Sequence, residues 1–174
     1  MQQFAETRQL VFASLMVALG IALNVAEGML PLTLPFPGAK IGLANIALLL
    51  CLCILPLRLT VSVFFLRVLL ASILLGTFLS TSFFIGGAGG FLSLVVMLTV
   101  KKIPCVSLLG VSIAGAAAHN LGQMFMAAFI INNYSLLYYL PIILVLAIPA
   151  GFLTGLVARA GVFLVESRQI KKPA

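Results

Sequence analysis

Long apolar segments follow one another along nearly the whole chain, and only short polar or proline-containing turns interrupt them. Of the 174 residues, 63% are hydrophobic and 7% are charged, whereas about a quarter of the residues in a soluble domain are charged. A helix that crosses a bilayer needs about 20 apolar residues, so the chain has room for about six crossings and no separate soluble domain. We therefore predict an all-α integral membrane protein with a single domain over residues 1–174.

The turns divide the chain into six predicted transmembrane helices. The predicted helices cover about 9–27, 41–56, 59–79, 83–101, 105–131 and 136–160. The first apolar segment is longer than the corresponding part of a signal peptide and lacks an A-x-A cleavage site, so we expect it to be retained as a helix.

The basic residues predict the orientation of the chain, because short cytoplasmic loops are enriched in lysine and arginine. If both termini are inside, Lys40 is the only basic residue in a predicted outer loop. The basic residues at the helix ends, turns and termini that then fall on the inner side are Arg8, Arg58, Lys101, Lys102, Arg168, Lys171 and Lys172. This distribution predicts an N-in/C-in topology. It also explains the formal net charge of +7 without nucleic acid as a partner.

The segment that joins the first two predicted helices contains Pro31, Pro35 and Pro37. Proline fixes φ and removes a backbone donor, so this segment cannot continue a helix through lipid. Non-helical backbone can lie at membrane depth only against protein or over a cavity. We therefore predict that residues 28–40 form a lid on the outer side. Glu27 and Lys40 place opposite charges at its two ends.

Arg67 lies in the interior of the third predicted helix. An arginine at the centre of a membrane helix costs at least about 2.5 kcal/mol on insertion scales, so we expect it to face the bundle interior and to have a partner. Glu27 is the candidate protein partner, because the chain contains no aspartate and its other carboxylates, Glu6 and Glu166, lie at the cytoplasmic ends. A structural Arg67–Glu27 pair, bonds to carbonyl groups and a ligand-binding arginine all remain open.

A second polar group lies in the fifth predicted helix, where His119, Asn120 and Gln123 interrupt an apolar sequence. His119 and Gln123 are four residues apart and therefore share a helix face. Unpaired polar groups in an apolar medium are costly. We expect these side chains to bond either to a neighbouring helix or to a ligand.

Depth along the helices suggests that the polar residues form one site beneath the lid. At about 1.5 Å per residue, Asn45 is expected about 6 Å below the outer end of the second helix, with His119 and Arg67 deeper. One net positive charge is left when Lys40 and Arg67 are counted against Glu27, and this favours an anionic group on an amphipathic solute. The predicted substrate-binding residues are Glu27, Lys40, Asn45, Arg67, His119, Asn120 and Gln123.

Motifs for catalysis, nucleotide binding and metal binding are lacking in the sequence. Without G-x-x-x-x-G-K-[ST] the chain cannot hydrolyse ATP by itself, and without aspartate it cannot build the acidic clusters that hold Mg²⁺ on a diphosphate. A single histidine does not support a nucleophilic triad. Cys51, Cys53 and Cys105 have neither metal spacing nor a disulfide framework. We expect no catalytic residue, no cofactor and no metal site.

Three motifs follow the acidic residue that ends the first helix. They read P-x-P-G-A-K-I-G-L-A-N-I, F-F-L-R-V-L-L-A-S-I-L-L-G-T and S-I-A-G-A-A-A-H-N-L-G-Q. Over about residues 10–159 this series resembles the Gx transporter family, also known as heptaprenyl diphosphate synthase component I. That family is grouped with the substrate-binding S components of energy-coupling factor (ECF) transporters. The resemblance implies a six-helix binding subunit whose first loop covers an outward-facing pocket.

The resemblance also implies partners and a location. An S component binds its solute at the plasma membrane of a prokaryote and works with a membrane scaffold protein joined to two ATP-hydrolysing subunits. Small residues in A-x-x-x-A spacing on helix 1 dock the scaffold, and Ala18 and Ala22, extended by Ser14, match that pattern. The same spacing also suits packing within the protein. The family motif positions in this chain are Lys40, Asn45, Arg67, His119, Asn120 and Gln123.

Two classes of function follow from these observations. The first is a solute-binding subunit of an ATP-driven importer. The second is a non-catalytic membrane partner of a prenyl or quinone biosynthetic enzyme, as the synthase name suggests. An ion-coupled carrier that acts alone would need a carboxylate in the middle of a helix, and the sequence places none there.

Overall fold

The computed structural model describes residues 2–29 and 42–170, which are α-helical apart from short turns and one 3₁₀ helix and contain no strand. The helices are α1 (Gln2–Met29), α2 (Asn45–Ile54), α3 (Leu57–Leu74), α4 (Thr81–Val100), α5 (Leu108–Ile131), the 3₁₀ helix (Tyr134–Tyr139) and α6 (Leu140–Ile170). This confirms the predicted all-α fold with six α-helices. Of the predicted lid, Gly28 and Met29 belong to α1, and residues 30–40 lie outside the described residues.

Five of the helical segments are long and apolar enough to cross a membrane, and α2 is the exception. It has 10 residues and so measures about 15 Å, about half of a 30 Å hydrocarbon core. The predicted crossing at 41–56 is therefore a half-length helix. Because α3 begins its crossing directly after Pro56, the C-terminal end of α2 lies at one membrane face. Asn45, at its other end, then lies about halfway across.

Helix α2 is the centre of the bundle. It packs against α1, α3, α4, α5 and α6, and every residue from Asn45 to Leu52 is buried. Its last carbonyls are capped by neighbouring helices, since Lys101 Nζ donates to Leu52 O and Thr60 Oγ1 donates to Cys51 O at 3.2 Å. The surrounding helices therefore shield this short helix and residues 42–44 before it from lipid, as backbone at membrane depth requires.

Helices α4 and α5 approach each other closely through glycines. A Cβ at Gly122 would lie 2.7 Å from Ala88 O, and a Cβ at Gly89 would lie 2.7 Å from His119 O. Small residues allow such close backbone approach between helices in lipid. The contact fixes the His119 turn of α5 directly against α4.

Helix α3 ends earlier than the predicted boundary near residue 79. Its last residue is Leu74, and the chain then passes through Gly76 at φ +64 and Leu79 at φ +59. A left-handed glycine is a common way for a helix to end. Ser80 starts α4 by accepting a hydrogen bond from Phe83 N at 3.4 Å.

Candidate functional site

A cavity of about 60 Å³ lies among α1 to α5 at the level of the N-terminal end of α2. A buried water needs about 10–15 Å³ of such volume, so the cavity holds about four water molecules or one small polar group. Its lining includes four of the predicted binding residues, Glu27, Asn45, Arg67 and His119. These residues come from four different helices or helix ends, and the fold brings them together about halfway across the membrane.

Glu27 binds the turn that leads into α2. Its carboxylate accepts hydrogen bonds from Gly42 N at 2.6 Å and from Leu43 N at 3.2 Å. Gly42 has φ +92, and a Cβ there would lie 3.0 Å from Asn45 Nδ2 and 3.3 Å from His119 Cδ2. Only glycine suits this conformation and this space. Glu27 thus anchors Gly42 and Leu43, which follow the predicted lid, to α1.

We expect Glu27→Ala to lower the free energy of unfolding by about 3 kcal/mol, because one buried and one partly buried backbone donor lose a charged acceptor. Thermal unfolding of the detergent-solubilised protein measures this change. Glu27→Gln keeps one acceptor oxygen, so its loss should be about half as large. If Glu27→Ala unfolds at the wild-type temperature, the carboxylate does not anchor the turn.

Arg67 is buried, with 4% of its surface exposed, and its guanidinium contacts the same turn. Nη1 donates to Ala44 O, and Cζ lies 5.8 Å from the centroid of the Phe64 ring. Within the described part of the chain, Nε has no hydrogen-bond partner. Arginine has five N–H donors and no acceptor. An oxygen-rich group in the cavity would therefore accept hydrogen bonds from the guanidinium N–H groups that these contacts do not use.

Arg67 and Glu27, the pair predicted from the sequence, both bind the turn that leads into α2. The hydrogen bonds of Glu27 reach Gly42 and Leu43, and the bond of Arg67 reaches Ala44. The two charges also attract each other electrostatically. They lie on either side of one turn and hold it between α1 and α3.

Asn45 is the first residue of α2 and is 8% exposed. Neither Nδ2 nor Oδ1 of its amide has a hydrogen-bond partner among the residues that the structure describes. An unsatisfied buried amide costs about 1–3 kcal/mol. Because Asn45 lines the cavity, a bound solute, a water or the segment before Gly42 can supply the missing partner.

His119 lines the cavity from α5, and Gln123 lies behind it. Gln123 Nε2 lies 3.0 Å from His119 Nε2, and an amide nitrogen can only donate. Gln123 therefore fixes the orientation of the imidazole ring. Asn120 points instead to α6, where Nδ2 donates to Ile143 O at 3.5 Å.

The structure thus divides the predicted binding residues into three groups. Four of them line the cavity, Asn120 and Gln123 lie outside its lining, and Lys40 lies outside the described residues. The lining also contains residues that the sequence analysis did not select, including Asn24, Phe83, Gly86 and Gly87. Asn24 precedes Glu27 by three residues on α1, and this helical spacing was the signal that could have found it.

The predicted docking residues Ser14, Ala18 and Ala22 all lie on the exposed face of α1. The opposite face, with Ala13 and Val17, is buried. Among the described helices, α1 packs against α2 and α3 only, and Ser14 Oγ is satisfied by Leu10 O at 3.0 Å. The small-residue face is therefore available to lipid or to another protein.

The bundle and its cavity define a class: a multi-pass helical membrane protein with a buried polar site. The chain belongs to the family described as heptaprenyl diphosphate synthase component I, whose family model matches residues 16–161. This range contains every residue that lines the cavity, and it confirms the family that the motifs indicated. No curated protein and no solved structure matches the chain.

Proposed function

We propose that this chain is the substrate-binding subunit, or S component, of an ECF-type ATP-driven importer in the plasma membrane of a prokaryote. It captures a small anionic or amphipathic solute from the outer side and catalyses no reaction itself. The observation that most supports this is a set of buried polar atoms beside a cavity at mid-membrane depth. Arg67 Nε and both amide atoms of Asn45 lack hydrogen-bond partners within the described chain.

The local electrostatics favour an anionic group. The N-terminal end of α2 lines the cavity, and the N-terminal end of a helix carries a partial positive charge. Half-length helices direct this end at anionic substrate groups in other transporters. The Glu27 carboxylate already accepts two backbone hydrogen bonds, so its charge is partly satisfied. Arg67 therefore remains as the main partner for a carboxylate or similar group.

The energy for import would come from other subunits, because the sequence has no nucleotide-binding motif. The exposed face of α1 that contains Ser14, Ala18 and Ala22 is the proposed contact with the scaffold protein. Small residues in this spacing let a partner helix approach closely. Two ATP-hydrolysing subunits would complete the importer.

The family description favours a second candidate, a non-catalytic membrane partner of a prenyl or quinone biosynthetic enzyme. In that role, contacts would form at the membrane surface and a buried polar cavity would have no evident use. The cavity is the reason to prefer the importer.

Copurification distinguishes the two candidates. The tagged chain, solubilised from membranes of its own host with a mild detergent, is expected to bring down a polytopic scaffold protein and ATPases that mass spectrometry identifies. Recovery of a cytoplasmic prenyl synthase without any ATPase would support the second candidate and overturn the first.

A further inference from the structure

Helix α4 contains two glycine pairs with opposite surroundings. A Cβ at Gly89 would lie 2.6 Å from Gln123 Cγ, and a Cβ at Gly90 would lie 2.8 Å from Phe64 Cε2. At Gly86 and Gly87 a Cβ would meet no described atom within 4 Å. Close helix packing therefore explains Gly89 and Gly90 and does not explain Gly86 and Gly87.

Glycine in a helix interior costs about 1 kcal/mol relative to alanine. Gly89 and Gly90 offset this cost by allowing α4 to approach α3 and α5. Gly86 and Gly87 gain no such contact within the described chain, yet both line the cavity. Among the described residues, their missing side chains leave open space at the wall of the polar site.

The described lining differs from helix to helix. Arg67, Asn45 and His119 contribute polar side chains, while α4 contributes Ser82, Phe83 and the bare backbone of the two glycines. A solute with its charged group at Arg67 would therefore lay its body against α4.

We propose that Gly86 and Gly87 are specificity-determining positions that set the size of the solute body, and that the solute is a compact amphipathic anion. The anionic group lies at Arg67 and Asn45, and the body lies on the Gly86–Gly87 backbone beside Phe83. This rests on the proposed solute-binding role of the cavity. The two glycines would limit the size of the solute, which the polar residues do not do.

Cysteine labelling tests the proposal without knowledge of the natural solute. In a variant with Cys51, Cys53 and Cys105 changed to alanine, Gly87→Cys places a thiol at the wall. The probes are two methanethiosulfonates of similar size, one with an anionic sulfonatoethyl group and one with a cationic trimethylammonioethyl group. With each rate divided by that probe's rate with a free thiol, labelling by the anionic probe is expected to be about tenfold faster. The Glu27 carboxylate already accepts two backbone hydrogen bonds, whereas Arg67 Nε has no partner among the described residues and can attract an anion.

The size limit is tested by adding Gly86→Leu to the Gly87→Cys variant. The leucine fills the open space, and the rate of labelling by the anionic probe should fall at least about tenfold. Gly86→Ala should give a smaller decrease, and it keeps the test usable if the leucine variant fails to fold on size-exclusion chromatography. An unlabelled Gly87→Cys thiol, or rates that do not change with the residue at position 86, would overturn the proposal.

The labelling test and the importer test can fail separately. Copurification of the ATPases depends on the exposed face of α1 and not on the α4 wall. If labelling follows the expected pattern and no ATPase copurifies, the anion site and its size limit stand while the importer assignment fails. If the ATPases copurify and labelling is indifferent to position 86, only the size limit fails.

Discussion

If the proposed binding role holds, the purified wild-type protein is expected to retain a small molecule from its host membrane, and Arg67→Ala is expected to abolish that retention. A buried hydrogen bond to a charged group contributes about 1.5–3 kcal/mol, and the lost charge pairing adds to this. A total of about 3 kcal/mol corresponds to about a 100-fold loss of affinity. Native mass spectrometry of wild type and variant side by side measures the bound fraction directly.

A matched control comes from the same helix. Arg58 is exposed near the start of α3, so Arg58→Ala removes the same side chain and should leave the bound fraction unchanged. Arg67→Lys keeps the charge and loses the planar guanidinium, so we expect an intermediate loss. Equal retention by wild type and a folded Arg67→Ala variant would contradict a binding role for Arg67.

Ala18→Trp and Ala22→Trp are each expected to eliminate copurification of the scaffold and the ATPases. A tryptophan on a close helix–helix contact prevents the backbones from approaching. Both positions are exposed on α1, so the variants should fold normally and retain the bound small molecule. The measurement is the ratio of recovered ATPase to tagged chain by quantitative mass spectrometry.

Val157→Trp is the control for this pair, since Val157 is exposed on α6, away from the small-residue face. It should leave the recovered ATPase ratio unchanged. Ala13→Trp, on the buried face of α1, should instead reduce folding yield. Full recovery of the ATPases with Ala18→Trp and Ala22→Trp would exclude this face as the docking surface.

The sequence predicted the helical bundle correctly because hydropathy over about 20 residues reports directly on membrane crossing. It could not predict the length of α2. Residues 46–54 are apolar throughout, and a wholly apolar run has no periodicity that separates a half-length helix buried in protein from a crossing. The left-handed Gly42 and the Glu27 contact, which set the start of α2, depend on residues 15 and 16 positions apart.

The polar residues were selected from the sequence because each is costly in lipid unless it has a partner. That reasoning finds such residues but does not show which neighbouring helix or cavity each side chain points to. Asn120 follows His119 by one residue and so points about 100° away around the helix, to α6. Gly86, Gly87, Gly89 and Gly90 look alike in the sequence, and only the three-dimensional neighbours of each position separate the two pairs.

The half-length of α2 has a consequence for how the protein is made. Ten residues are too few to partition into the bilayer alone, so α2 must enter together with α3 as a hairpin. Until α4, α5 and α6 have been synthesised, the polar start of α2 lacks three of the helices that later surround it. The cavity is therefore completed late in biogenesis, by the same helix contacts that complete the fold.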